Sequence, residues 1–215
     1  MIPSLYNRAM IRLVAFLGNT GREYEDTRHN TAWLFSSFLF GSEGSIAWHK
    51  KHNSQLASPQ RSEVLSLLGS TSSTSGSDDK LLLQKPLTLM NLSGQAVSRA
   101  AAFYKVAHED ILVVHDEIEL PLGTVSLKFS GGLAGHNGLR SVKAQLGTAD
   151  FWRLRFGVGK PASKDVAGYV LSSFSSDERI TLGRVFGCAR ELFASLIASD
   201  TPQSLLPRWA KVKVD

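Results

Sequence analysis

The chain has 215 residues, of which 43% are hydrophobic and 20% are charged, and this composition is typical of one globular domain and excludes disordered, collagen-like and coiled-coil proteins. The formal net charge of +5 is too small to identify a partner, and no apolar run approaches the ~18 residues that a membrane-spanning helix needs, so we expect no membrane contact. The single cysteine, Cys188, excludes an internal disulfide and is compatible with a cytoplasmic location.

The first half of the chain predicts strands that alternate with helices. A nearly continuous apolar run at 11–17 ends in Gly18-Asn19-Thr20-Gly21, which is typical of a buried strand that leads into a tight turn. Residues 69–79 are nearly all Ser, Thr, Gly and Asp and predict a surface loop. The other elements predicted in this half are a helix at 30–40, one or two strands at 55–68 with a break at Ser58-Pro59, a strand at 80–85 and a helix at 93–106.

The second half continues the alternation and ends in a long helix. Ser175 and Glu178 have the spacing of a capping box before an amphipathic segment, and we expect Cys188 to pack within this helix rather than to react. The other predicted elements are strands at 111–114, 124–129, 151–158 and 166–171 and a helix that ends at about 146. This order predicts one α/β domain over residues 1–215, with its core at about 11–200, in which helices flank a mixed, largely parallel twisted sheet.

Positive charge is concentrated in the segment 120–164. This segment contains one acid, Asp150, and seven basic residues: Lys128, Arg140, Lys143, Arg153, Arg155, Lys160 and Lys164. A contiguous basic excess of this kind is expected of a face that meets phosphates. A solvated basic surface without a partner is the alternative, and charge alone does not separate the two.

Polar and ionisable side chains follow several predicted strands at their carboxyl ends, where open α/β sheets bind ligands. Asp116 follows the strand at 111–114, and His29 follows the turn after the first strand. A histidine that meets an aspartate across neighbouring strand ends is a general base whose tautomer the carboxylate fixes. The remaining members of these clusters are Asn19, Tyr24, Met90, Asn91, His136 and Asn137.

Motifs for three common kinds of site are missing from the sequence. It has no G-x-G-x-x-G after the first strand, no G-x-x-x-x-G-K-[ST] and no G-x-S-x-G, so a dinucleotide site, a P-loop and a serine nucleophile elbow are not supported. A metal site could be drawn from His29, His115, Asp116 and His136, but these residues lack the paired spacing of metal-binding motifs. We therefore expect no metal and no cofactor.

Four motifs occur in order between residues 11 and 193. They are Leu17-Gly18-Asn19-Thr20-Gly21 with Tyr24 and Thr27-Arg28-His29-Asn30; Lys85-Pro86 with Met90-Asn91-Leu92-Ser93-Gly94; Val114-His115-Asp116-Glu117 with Pro121 and Gly123; and Gly135-His136-Asn137-Gly138 with Arg153-Leu154-Arg155. Any one of them could arise by chance. Together and in this order, they resemble the motifs of the bacterial-type peptidyl-tRNA hydrolase family over nearly the whole chain.

The resemblance implies a monomeric α/β enzyme that hydrolyses the ester between a peptide and the 3′ end of tRNA, and so recycles tRNA from stalled translation. It implies that His29 is the general base, that Asp116 orients it, and that Asn19 helps to distinguish peptidyl-tRNA from aminoacyl-tRNA. It also implies a contact of Lys128 and Arg155 with a tRNA phosphate, and both residues lie in the basic segment. The positions that match the family's substrate groove are Tyr24, Leu89, Met90, Asn91 and Asn137.

The sequence departs from the family pattern near the expected site but retains His29 and Asp116. The departures are Phe16 for a usual Gly, Thr20 for a common Pro, Leu89 for a usual Phe, and Leu133-Ala134 for a usual His-Gly. A non-catalytic RNA-binding module on the same fold is the main alternative, and the retained pair counts against it. A metallohydrolase is a third hypothesis, which sensitivity to a chelator would reveal. For Asn91 and Asn137, which precede predicted helices, helix capping is an alternative to substrate binding.

Overall fold

A computed structural model of the chain describes residues 10–41, 45–70, 79–161 and 164–214. Within these residues, eight strands form one sheet. They are β1 (Leu13–Phe16), β2 (His49–Lys51), β3 (Ser54–Ala57), β4 (Leu82–Pro86), β5 (Ile111–Glu117), β6 (Thr124–Phe129), β7 (Trp152–Gly157) and β8 (Val212–Lys213). Their order across the sheet is β2-β3-β4-β1-β5-β7-β6-β8.

The four central strands, β4, β1, β5 and β7, are parallel, and the strands outside them pair in antiparallel fashion. This arrangement confirms the predicted mixed sheet with a parallel centre. Both faces of the centre are covered, and every residue of β1 is buried, which is why an unbroken apolar run encodes it. The carboxyl ends of the parallel strands meet at one edge of the sheet, and this edge carries Asn19, Met90 and Asp116.

Helices cover both faces of the sheet and confirm the predicted sandwich. They are α1 (Thr31–Phe40), α2 (Arg61–Leu67), α3 (Ser93–Tyr104), α4 (Asn137–Leu146), α5 (Val166–Val170), α6 (Ser176–Ala198) and α7 (Leu206–Trp209). Alternate residues of β1 point to opposite layers: Val14 joins a core with α1, α2 and α6, and Ala15 joins a core with α3 and α4. The predicted capping box of Ser175 and Glu178 is present, and Cys188 packs in α6 against the core.

The prediction of one or two strands at 55–68 is confirmed before the break at Ser58-Pro59, where β3 lies, and is wrong after it. There the chain forms α2, because Val64, Leu65 and Leu68 recur at helical spacing and bury one helix face. Residues 166–171 are the short helix α5 rather than a strand. Its start is fixed by Asp165, whose side chain accepts a hydrogen bond from the Gly168 N–H, and such a cap favours a helix over an extended segment.

Most of the predicted surface loop at 69–79 falls on residues 71–78, which lie outside the described residues. The prediction of a single domain stays a prediction. Among the described helices, none has the length and apolar character that spanning a membrane requires.

Candidate active site

Asp116 lies near the carboxyl end of β5, and its side chain is buried. His29 lies in a 3-10 turn, Arg28–Asn30, that directly precedes α1. The Nδ1 atom of His29 is 2.9 Å from Oδ1 of Asp116. Because a carboxylate oxygen accepts, the proton of this bond belongs to Nδ1, and the lone pair of His29 Nε2 is left for a ligand in the cleft that the ring lines.

A second histidine, His136, reaches the same carboxylate oxygen. Its Nε2 is 3.0 Å from Oδ1 of Asp116, and its Nδ1 accepts hydrogen bonds from the backbone N–H groups of Gly138 and Leu139. The accepting role of Nδ1 assigns the proton to Nε2, so His136 donates to Asp116. His136 is therefore both the N-cap of α4 and a partner of the carboxylate. From the sequence, His136 was recognised as part of a polar cluster, but no catalytic role was predicted for it. Its position at the start of a helix after a glycine-rich loop was the feature that could have indicated a role in the site.

Charge and burial act in opposite directions on the pKa values of His29 and Asp116. Burial favours neutral forms, but the charge of Asp116 and its hydrogen bond outweigh burial and raise the pKa of His29 above its ordinary value. For Asp116, burial alone would raise the pKa, yet the attraction of His29 and His136 and their hydrogen bonds hold it well below its ordinary value. Asp116 therefore remains ionised, and because the pKa of His29 is raised, this ring stays protonated to higher pH than an ordinary histidine.

Asn19 connects three segments of the site. Its backbone N–H donates to Oδ1 of Asn30 at 2.8 Å, and its backbone carbonyl accepts from Nδ2 of Asn30 at 2.9 Å. Its side-chain Oδ1 accepts the Met90 N–H at 2.7 Å. The turn after β1, the turn that carries His29 and the start of the segment Met90–Leu92 are thus held together by one buried residue.

The predicted substrate residues line one groove that adjoins His29. Besides His29, the residues that line this groove are Asn19, Tyr24, Leu89, Met90, Asn91, Asn137, Ala167, Val170 and Leu171. The Leu89 side chain is 50% exposed at its rim, whereas Met90 is buried in the core under α3 and α4. Met90 therefore shapes the floor of the groove through its packing.

The alternative role of the two asparagines as helix caps is wrong. Asn137 is the first residue of α4, and the side chain that caps this helix is His136. The helix α3 begins after Leu92 and has no side-chain cap, so Asn91 does not cap it either. Both asparagines are exposed in the groove, which leaves their amides available to a ligand.

The basic residues of β6 and β7 lie on one face of the sheet. In the antiparallel register Lys128 is opposite Arg153, and Ser126 is opposite Arg155. Arg155 donates to the Ser126 hydroxyl at 2.6 Å and lies 3.6 Å from the carboxylate of Glu117, the neighbour of Asp116. Burial and the two arginines lower the pKa of Lys128, as expected for clustered cations.

Arg153 is the most enclosed member of this cluster, with 1% of its surface exposed. Its Nη1 donates to the Gly132 carbonyl at 2.7 Å, and its Nε and Nη2 have no hydrogen-bond partner among the described residues. Burial, followed by repulsion from Arg155, lowers the pKa of Arg153 to about 10. Unpaired donors on a buried guanidinium beside two other cations are energetically costly. Arg153 belongs to the basic segment recognised in the sequence, but no role was predicted for it.

Three of the four residues considered for a metal come together. The donor atoms of His29, Asp116 and His136 lie within 4.8 Å of one another. In this arrangement, however, they bind each other, and each histidine nitrogen that faces the carboxylate carries a proton. His115 packs its ring edge-on against His136 and donates to the Asp116 carbonyl through Nδ1. The donor set therefore favours a hydrogen-bonded triad over a metal centre.

Comparison with known proteins identifies relatives of the whole chain. The family model for peptidyl-tRNA hydrolase matches residues 13–214. The chain is 44% identical to the peptidyl-tRNA hydrolase of Treponema pallidum over 208 residues, which cover 95% of this chain and 96% of that protein. It is 38% identical to that of Geotalea uraniireducens, with 91% and 94% covered. The crystal structure of the peptidyl-tRNA hydrolase from Acinetobacter baumannii superposes with a TM-score of 0.75 at 30% identity and covers 95% of this chain and 94% of its own.

Proposed function

Because the chain belongs to the peptidyl-tRNA hydrolase family and is an esterase that cleaves peptidyl-tRNA, we propose that His29 is its general base and that Asp116 orients this base. The observation that carries this assignment is the 2.9 Å bond between His29 Nδ1 and Asp116 Oδ1, which leaves Nε2 of a cleft-lining ring to receive a proton. His136 supports the same carboxylate from the other side.

In this mechanism Nε2 of His29 takes a proton from a water molecule as the water oxygen attacks the ester carbonyl carbon. The ester C–O bond then breaks, and the proton passes from His29 to the departing ribose oxygen of the tRNA. General-base assistance of this kind contributes about 10²–10⁴-fold to a rate. Asp116 stabilises the imidazolium that exists between the two proton transfers.

The peptide part of the substrate would lie in the groove beside His29. Asn91 and Asn137 are exposed there and offer amide donors and acceptors to a peptide backbone. Since Oδ1 of Asn19 is already bonded to the Met90 N–H, Asn19 would offer its Nδ2 donor to the ligand. Tyr24 and Leu89 would contact the peptide at the rim of the groove.

The tRNA part would contact the basic cluster of β6 and β7. Lys128 and Arg155 would bind a terminal phosphate, with Arg155 already oriented by Ser126 and Glu117. Glu117, which lies 3.6 Å from Arg155, is the residue after Asp116 in β5. We further propose that the protein acts as a monomer in the cytoplasm, where translation supplies its substrate.

The test is release of peptide from an N-blocked aminoacyl-tRNA by the purified protein with EDTA present. Release by the parent protein and its loss in His29→Ala would support the proposal. Tight tRNA binding without release would favour the non-catalytic RNA-binding module instead. Loss of release on addition of EDTA would favour a metallohydrolase.

A further inference from the structure

The residue that precedes His29 is a buried arginine whose terminal nitrogens, Nη1 and Nη2, each have several hydrogen-bond partners, while its Nε has none among the described residues. Nη1 of Arg28 donates to the Ser172 carbonyl at 3.2 Å, the Ser172 hydroxyl at 2.8 Å and the Ser173 carbonyl at 2.7 Å. Nη2 donates to both carboxylate oxygens of Glu178, at 2.7 and 2.8 Å. One guanidinium therefore joins the turn that carries His29 to the chain segment 172–178.

This segment begins directly after Leu171, which lines the substrate groove with residues of α5. The guanidinium of Arg28 lies 4.6 Å from the ring centroid of Tyr169 in α5 and 5.0 Å from that of Phe174. The Tyr169 hydroxyl in turn donates to the Val158 carbonyl at 2.6 Å. The residues of α5 that face the cleft are Val166, Ala167 and Val170. Arg28 thus contacts the helix whose residues line the cleft together with the base.

Backbone contacts support the same connection. The Arg28 N–H donates to the Ser172 carbonyl at 3.1 Å, and Thr27 forms an isolated β-bridge with Ser173. On its other side the turn is held by Asn30, whose side chain binds the backbone of Asn19. The base is therefore fixed from two directions, by the end of β1 and by the segment after α5.

Glu178 connects this arrangement to the longest helix. Its Oε2 accepts the Ser175 N–H at 2.7 Å, and the Ser175 hydroxyl accepts the Glu178 N–H, so that the carboxylate also closes the capping box of α6. The helix α6 packs along the main core with nine buried residues, and this packing holds the start of the helix in place. A buried ion pair contributes little net stability, whereas the planar fork of an arginine fixes geometry well. The contacts of Arg28 therefore favour a role in positioning the turn that carries His29 relative to the start of α6.

We infer that Arg28 and Glu178 are positioning residues, which attach the His29 turn to the start of α6 and so set the separation between the base and the α5 wall of the cleft. This inference rests on the proposed role of His29 as the base. A base must lie within hydrogen-bond reach of the attacking water, and a displacement of about 1 Å can cost roughly 10²-fold in rate. Loosening the attachment would thus reduce turnover more than binding.

The test compares Glu178→Gln and Arg28→Lys with a matched control that joins the same two segments. Glu178→Gln keeps the shape of the side chain but removes its charge, and Arg28→Lys keeps the charge but removes the fork. The control is Asp26→Asn, which breaks the exposed Asp26–Arg179 ion pair at 3.1 Å. Steady-state kcat and KM are measured for an N-blocked aminoacyl-tRNA and for a short peptidyl ester, below the Tm of each variant.

We expect both test variants to lower kcat by about tenfold or more, by a similar factor on the two substrates, while KM changes by less than about threefold. The control should stay within about twofold of the parent in both parameters, because an exposed ion pair contributes little. Should Arg28→Lys fail to fold, the near-isosteric Glu178→Gln decides the question.

The inference is overturned if Glu178→Gln lowers the Tm but matches Asp26→Asn in kcat, since the pair would then only stabilise the fold. A His29→Ala variant in the same assay separates the two proposals. If His29→Ala remains active, the proposed base is wrong, and the positioning role is wrong with it. If His29→Ala is inactive and Glu178→Gln behaves like the control, only the positioning role is wrong.

Discussion

The rings of His29 and His136 lie with their centroids 4.8 Å apart, and both donate to the same oxygen of Asp116. The two histidines differ in their second nitrogen. Nδ1 of His136 accepts from the first turn of α4, whereas Nε2 of His29 has no hydrogen bond within the described part of the chain. One carboxylate therefore orients the proposed base and also fixes the helix whose first residue, Asn137, lies in the substrate groove.

Because His29 and His136 share Oδ1 of Asp116, His136→Ala should change both the stability of the protein and the pH dependence of its rate. The variant loses the cap of α4, which should lower the free energy of unfolding by about 1 kcal/mol. It also leaves His29 as the main partner of Asp116, so the pKa of His29 should rise further and the acid limb of the rate profile should move to higher pH. Denaturant unfolding and a pH–rate profile measure the two effects. An acid limb that stays in place would contradict the shared-carboxylate account.

Asp116→Asn should shift the acid limb of the pH–rate profile to lower pH. The negative charge of Asp116 raises the pKa of His29, so its removal should lower this pKa and let the neutral base persist to lower pH. The plateau rate should fall as well, by about 10²-fold or more, because no charge stabilises the imidazolium. We expect a smaller loss than in His29→Ala, since Asn keeps much of the shape. The measurement is kcat across the pH range; an unchanged acid limb would show that Asp116 does not set the charge of His29.

Asn91→Ala should discriminate between two ligands. Asn91 is exposed in the groove and does not cap α3, so its amide is available to the peptide part of the substrate. Loss of one hydrogen bond costs about 1 kcal/mol, or roughly a fivefold weaker affinity. Binding of peptidyl-tRNA to an inactive His29→Ala background should weaken by this factor, whereas binding of uncharged tRNA should not. Equal weakening of both ligands would assign Asn91 to the scaffold.

Lys128→Ala should raise KM for full-length peptidyl-tRNA and flatten its salt dependence. Each phosphate contact contributes about 0.7–0.9 to the slope of log affinity against log salt. A short peptidyl ester without the phosphate should be cleaved at the parental rate, because only uniform binding has been removed. Lys143→Ala and Lys164→Ala are the controls, and we expect little effect from either. If the controls match Lys128→Ala, the basic segment acts as a diffuse field rather than as a phosphate site.

Arg155→Ala should give the same kinetic change together with a loss of stability. Arg155 lies 3.6 Å from the buried carboxylate of Glu117, so its removal leaves that charge without its cation. We expect the free energy of unfolding to fall by about 1–3 kcal/mol. Among the described residues Lys128 forms no ion pair as close as this one, which makes Lys128→Ala the cleaner probe of phosphate binding.

Elements with a strong local pattern could be predicted from the sequence. The strand β1 and the first four residues of β5 are unbroken apolar runs, and the capping box of α6 is a pattern within four residues. The segment 166–171 failed because five apolar or small residues satisfy a strand as well as a helix, and the deciding interaction is the Asp165 cap. Within 55–68 only the part after Pro59 failed, since α2 follows the correctly predicted strand β3 after a short break.

The supporting residues of the site were harder to predict than His29 and Asp116. The carboxylate partner of Arg28 lies 150 residues further along the chain, and Arg153 binds the Gly132 carbonyl 21 residues before it. Such contacts depend on how the elements pack, which no local pattern contains. His136 was only partly predictable, because its position at a helix start could be read from the sequence, whereas its hydrogen bond to Asp116 could not.

The central claim is that His29 acts as a neutral base held by Asp116. The most direct test is the rate of peptide release from an N-blocked aminoacyl-tRNA, measured with EDTA present for the parent and for His29→Ala from below to above the ordinary histidine pKa. Since the base acts when unprotonated and its pKa is raised, the parental rate should fall as the pH drops through a value above the ordinary 6.5. His29→Ala should lose nearly all activity at every pH while it retains tRNA binding. A His29→Ala variant that releases peptide at the parental rate would contradict the account.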